Sequence, residues 1–110
     1  MKLIVAIVQD EDAGRLVSEL MENGFGVTKL ATTGGFLRAG NSTLISGVAD
    51  EKLDEALAII EKTCKSREQI TATTTHMSGS AGGVYVPYPI KVTVGGATVF
   101  VLEVSQFLKV

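Results

Sequence analysis

Residues 3–8 are continuously apolar and mostly β-branched, the pattern of a strand that lies centrally in a sheet or is covered on both faces. Asp10 or Asp12 is placed to cap the segment that follows. There Leu16, Val17, Leu20 and Met21 recur at helical spacing, and Gly24 closes the helix. Residues 27–33 and 41–48 read as two strands flanking a glycine turn. Asp50 then caps a second helix, in which Leu53, Ala56, Leu57, Ile60 and Cys64 form one apolar face. The order βαββα is the one expected of a ferredoxin-like domain.

Between residues 65 and 88 the periodicity fails, and residues 71–83 are small, polar and glycine-rich. A stretch of that length without regular structure is uncommon in a compact domain, so the pattern predicts a long loop, mobile without ligand, between the second helix and the last strands. Pro87 and Pro89 stiffen its exit. Ile90, Val92 and Val94 alternate as a strand, and Gly95-Gly96 suits a tight hairpin into a final strand from Ala97 to Val104. The whole is an α/β (α+β) chain in the order βαββαβ, one domain over residues 1–110 with no internal repeat.

Composition changes this picture in one respect. Apolar residues make up 45% of the chain against 20% charged, with mean hydropathy +0.31. That is apolar for a soluble monomer and predicts that some surface closes between subunits. Charge removes a class of partner: ten basic and twelve acidic residues, with no basic run, do not suit the backbone of polymeric DNA or RNA. The apolar N-terminal stretch is too short to span a membrane and reads as a strand, not a signal. Cys64 and His76 are the only residues of their kinds, so neither an intramolecular disulfide nor a Cys/His metal site can be assembled, and a reducing, cytoplasmic setting is expected.

Candidate chemistry concentrates in residues 28–47. Backbone N–H groups around Gly34 and Gly35 can form an anion-binding concavity, where a Cβ would block close approach. Phe36 offers a flat face to a nucleobase, and the Asn41 amide can donate and accept along a base edge. Each has a plainer reading: the glycine pair as a hairpin turn, Phe36 and Leu37 as core or as a plug for a neighbouring subunit. Neither a Walker motif nor a Gly-x-Gly-x-x-Gly fingerprint is present, so phosphate binding here would be made by a loop.

Residues 29–41 (KLATTGGFLRAGN), with residues 5–10 (VAIVQD) and 94–101 (VGGATVFV), closely resemble the PII-like cyclic-di-AMP receptor proteins, and the resemblance spans nearly the whole chain. It implies a trimeric ferredoxin-like fold with a pocket between adjacent subunits. The residues matching the family's pocket are Thr28, Gly35, Phe36, Leu37, Asn41, Gly47 and Phe100, with Gly34 beside them in the turn. In that implied site Thr28 supplies a hydroxyl, the turn its backbone groups, Phe36 and Leu37 the bed for adenine, and Asn41 the base-edge contact. Family members commonly carry Asn and Arg where this chain has Gly24 and Gly26, and Gln where it has Lys109. Lys29, Arg38 or Lys109 is available to replace the arginine's phosphate contact.

His76 has no second histidine or carboxylate cluster near it in sequence and reads as a solvated loop residue. Cys64 has no partner base and reads as a packed thiol. With no catalytic constellation, the expected function is that of a homotrimeric cyclic di-AMP sensor without enzymatic activity or resident cofactor, acting on an unknown downstream protein. The rival readings are a PII-like protein for another nucleotide such as ATP, and a trimeric scaffold that has lost ligand binding.

Overall fold

The computed structural model describes residues 1–30, 40–76 and 85–110. The strands and helices are β1 (Lys2–Gln9), α1 (Asp10–Glu22), β2 (Thr28–Leu30), β3 (Asn41–Val48), α2 (Leu53–Cys64), β4 (Arg67–His76), β5 (Tyr85–Val94) and β6 (Ala97–Glu103). Four strands form one sheet in the order β2-β3-β1-β6, with β1 antiparallel to both β3 and β6 and β2 antiparallel to β3. This is the ferredoxin-like order, carried by β1, β2, β3 and β6. The ribbon β4-β5, a separate two-stranded sheet, is inserted between α2 and the last strand.

Alternation along β1 explains the core. Ile4, Ala6 and Val8 are buried while their neighbours are only half-buried, because period-2 side chains fall on opposite faces. The buried side meets Leu16 and Leu20 of α1, Ala56, Ile60 and Cys64 of α2, and Leu44 and Val48 of β3. Gly24, at φ 87, ends α1 as its position predicts. Its N–H donates to the Met21 carbonyl at 3.0 Å, and that of Phe25 to the Leu20 carbonyl at 2.9 Å, which satisfies carbonyls the helix end leaves open.

Several expectations need correction. The stretch 67–76 is not loop: it is β4, paired in continuous antiparallel register with β5 from Arg67↔Val94 to His76↔Tyr85. Its polar residues suit a strand because threonine is intrinsically well suited to extended backbone, and the ribbon residues whose burial is described, 67–70 and 89–93, are exposed. Residues 77–83 of the expected loop lie outside the described residues. The ribbon makes the chain long, 67 Å on its greatest axis with a radius of gyration of 19.1 Å, where a compact chain of this size would have about 13 Å.

Gly95-Gly96 is likewise no hairpin between paired strands, since β5 and β6 belong to different sheets. With φ 83 and 93, the two glycines carry the chain out of the ribbon and into the sheet. Neither expected aspartate caps α1, whose N-cap is Gln9 without a side-chain bond. Asp10 begins the helix, and Asp12 is buried. Met21 is exposed despite its spacing. Asp50 opens a single 3-10 turn ahead of α2 and pairs with the N-terminal amine at 2.8 Å. Bonding from that amine, and its charge, hold the Asp50 carboxyl below its ordinary range.

Candidate functional site

The face of the sheet turned away from the helices carries the four described residues of the expected pocket. Register settles this without appeal to any ligand. Thr28 pairs with Ile45, Ile45 with Val5, and Val5 with Phe100, so one row crosses all four strands from Thr28 to Phe100. Residues two, four or six positions along a strand share that side. Gly47 and Asn41 therefore join the same face, opposite Leu3 and Gln9 of β1.

They share a face but not a point. At about 4.8 Å between strands, Thr28 and Phe100 stand roughly 14 Å apart on opposite edges, and at about 3.4 Å per residue Asn41 and Gly47 are separated by roughly 20 Å. The surface between them is apolar and incompletely covered. Leu3, Val5 and Ile7 are half-buried, while Phe100 retains 49% and Leu102 48% of its accessible surface. Gly34, Gly35, Phe36 and Leu37 lie outside the described residues.

Asn41 stands at the end of the face nearest the ribbon, where Ile7, Gln9, Asn41, Ala97, Thr98 and the Gly95-Gly96 turn line a cavity of about 370 Å³. Gly40, just before it, has φ 94, and its carbonyl accepts from the Asp10 N–H at 2.8 Å. The Ser42 hydroxyl donates to the Asp10 carboxylate. The start of β3 is thereby tied to the start of α1. At the other end Gly47 is exposed, and among the described residues a Cβ built there would meet only Met1 Sδ, at 3.9 Å. Close approach by a second molecule is therefore open at Gly47.

Charge is arranged below this face. Asp12, 2% exposed, accepts a forked pair of bonds from Arg67, Nη2 to Oδ1 at 2.9 Å and Nη1 to Oδ2 at 3.4 Å. Arg15 approaches the same carboxylate at 3.5 Å and donates to the Thr63 carbonyl at 2.8 Å. The hydrogen bond to Asp12 raises the pKa of Arg67 above its ordinary value, and the pairing makes the buried carboxylate tenable. Burial pushes the Cys64 thiol up to about 11, so it is a packed thiol and a poor nucleophile at neutral pH. Among the described residues, no cluster of three metal-ligating side chains exists and no helix is long and apolar enough to cross a membrane.

Sequence reasoning missed Gln9 and the Asp12–Arg67 pair. Gln9 entered the sequence reading only as part of residues 5–10 (VAIVQD), with no role of its own. The pair spans 55 positions, and no local pattern announces it.

Fold and face together define an α+β protein of ferredoxin-like topology with one sheet face left partly open among the described residues. Residues 1–110 match the family model of the cyclic-di-AMP receptor, and the chain belongs to that family. It is also similar to a solved structure from Pediococcus pentosaceus ATCC 25745, described as that of a functionally unknown protein. The two are 44% identical over 99% of this chain and 96% of that one, with a TM-score of 0.78.

Proposed function

We propose that this chain is a PII-like cyclic di-AMP sensor that holds its ligand at clefts between the subunits of a homotrimer. Family membership supports the ligand. The cleft is supported by one observation: Thr28 and Phe100 occupy opposite edges of one uncovered face, in a single row across four strands. A compact ligand touching both types of residue is reached most simply when the β2 edge of one chain lies beside the β6 edge of the next. Cyclic symmetry then repeats the cleft at each interface.

In this arrangement the Thr28 hydroxyl and the backbone of Gly34 and Gly35 receive phosphate, Phe36 and Leu37 bed an adenine, and Asn41 reads its edge. Phe100 closes the pocket from the neighbouring chain, and Gly47 lets the ligand approach backbone. The role is binding and signalling in the cytoplasm, not turnover, with an unidentified protein downstream. A thermal-shift series tests the ligand, because a molecule that binds only the folded state must raise its apparent stability. Cyclic di-AMP should raise the melting temperature and ATP should not. A shift with ATP alone would transfer the site to a different nucleotide. Asn41→Ala should weaken cyclic di-AMP binding about tenfold by removing a base-edge hydrogen bond while leaving the assembly intact; unchanged affinity would remove Asn41 from the site.

A further inference from the structure

The ribbon β4-β5 is held to the body of the protein at two feet. At the first, Arg67 forks onto the buried Asp12 and also donates to the Lys65 carbonyl at 3.2 Å. At the second, the Gly95 N–H donates to Gln9 Oε1 at 2.8 Å, and the Gly96 N–H donates to the Cys64 carbonyl. Gly95 is packed so closely that an added Cβ would lie 2.6 Å from Arg67 Nη1 and 2.7 Å from the Lys65 carbonyl, and its φ of 83 excludes most side chains as well. The two feet therefore touch one another.

Gln9 belongs to both the ribbon's support and the candidate site. It sits opposite Asn41 in the β1-β3 register and lines the same cavity as Asn41, Gly95 and Gly96. A glutamine amide has an acceptor oxygen and two N–H donors. With Oε1 occupied by Gly95, the donors on Nε2 are what it offers to acceptor atoms such as ring nitrogens or phosphate oxygens.

We propose that Gln9 is a positioning residue that couples the Asn41 cavity to the ribbon: a nucleotide accepting from its Nε2 fixes the amide whose Oε1 holds Gly95, and so tightens the foot of β5. The coupling rests on the proposed cyclic di-AMP site. Its energy is the difference in ligand affinity between the ribbon with its foot bonded and the ribbon with its foot released. The remainder of the ribbon responds because Gly95 packs against Arg67, at the start of the other strand.

Amide hydrogen exchange at Gly95, read by NMR with and without cyclic di-AMP, measures the opening of this foot. In the unsubstituted protein, ligand should slow that exchange by about tenfold or more. Gln9→Met, which removes both polar atoms at similar volume, should speed exchange in the free protein and abolish the response. Gln9→Glu keeps the acceptor and loses the donors. It should therefore keep free-state protection at Gly95, bind cyclic di-AMP about tenfold more weakly and show no further slowing. This variant remains informative if Gln9→Met fails to fold. A Gly95 response of unchanged size in Gln9→Glu, at unchanged affinity, would overturn the coupling alone, provided that Asn41→Ala weakens binding. Unchanged affinity in Asn41→Ala would overturn the site reading and the coupling with it.

Discussion

The two faces of the four-stranded sheet are built from the same strands with the same kinds of residue, yet among the described residues only one is finished. Ile4, Ala6 and Val8 pack beneath the two helices. Leu3, Val5 and Ile7, their neighbours in β1, face outward with Phe100 and Leu102 and stay partly open to water. A sheet meant to be solvated on one side would alternate apolar with polar residues. Here the alternation in burial is not matched by an alternation in chemistry. The difference fits the proposed trimer, in which a second subunit would cover the apolar residues of the outer face.

Adjacent residues of β1 give the sharpest contrast. Ala6→Asp places an unpaired charge under the helices and should prevent folding, since an uncompensated buried carboxylate costs several kcal/mol. Val5→Asp, one position away, should leave the circular dichroism of a folded chain but convert the proposed trimer to monomer in light scattering. If both variants unfold, the outer face is part of the fold's own stability; if Val5→Asp remains trimeric, that face is not the interface. Truncation should repeat the contrast at smaller size. Leu16→Ala, at a fully buried position, should cost about 3–5 kcal/mol in denaturant titration. Leu102→Ala should cost the isolated subunit less than about 1 kcal/mol, because its side chain is already half in water.

Much of this organisation is legible in the sequence. The apolar run of β1, the helical spacing of Leu16 and Leu20 and the face of Ala56, Ile60 and Cys64 each follow a simple period, and the core forms where they meet. The ribbon is only partly legible in that way: the alternation of Ile90, Val92 and Val94 marked the end of β5, but periodicity gave no sign of β4, and the described ribbon residues Ile70, Ile90 and Val92 are exposed. The run of threonines from Thr73 to Thr75 carried the available signal, since it suits extended backbone without requiring a core. Pro87 and Pro89, read as stiffening the exit of a loop, lie within β5; they are two residues apart, so their missing N–H groups fall on one edge, and a two-stranded ribbon has an outer edge to spare. Of the candidate site, chemistry singled out Asn41 and the glycine turn, the latter outside the described residues, whereas the common face of Thr28, Gly47 and Phe100 needed the register.

Gly26 sharpens the account of the edge near Thr28. Among the described residues no heavy atom lies within 4 Å of a Cβ built there and its φ is not in the left-handed region, while the Gly26 carbonyl accepts from the Ser46 hydroxyl at 2.7 Å through backbone alone. Gly26→Arg should therefore fold normally and, by adding a guanidinium near the proposed phosphate position, raise cyclic di-AMP affinity about tenfold in calorimetry. The gain should shrink with added salt. A folded variant with no gain would count against phosphate at this edge.

The smallest effect belongs to the finished face and is absent at neutral pH. The Cys64 pKa rises from an ordinary 9.0 to about 11 on folding, chiefly through burial. Between these values the unfolded chain loses the thiol proton while the folded chain keeps it. Stability from this group is thus full below pH 9.0 and falls as pH rises toward 11. The melting temperature of Cys64→Ala should decline less steeply over that window than that of the unsubstituted protein. Parallel declines would place the thiol in a less buried setting.

The most direct measurement is complementation between two defective chains. Thr28→Ala damages the β2 edge of the proposed cleft and Phe100→Ala the β6 edge, so trimers of either variant alone should bind cyclic di-AMP weakly at every site. Co-refolding equal amounts should create clefts that join the intact Thr28 of one chain to the intact Phe100 of its neighbour, about a quarter of all sites in a random cyclic trimer. Calorimetry should then recover tight binding at about that fraction of the full stoichiometry. If the mixture binds no better than its components, the two residues do not serve one site across two chains, and the uncovered face is not the cleft described here.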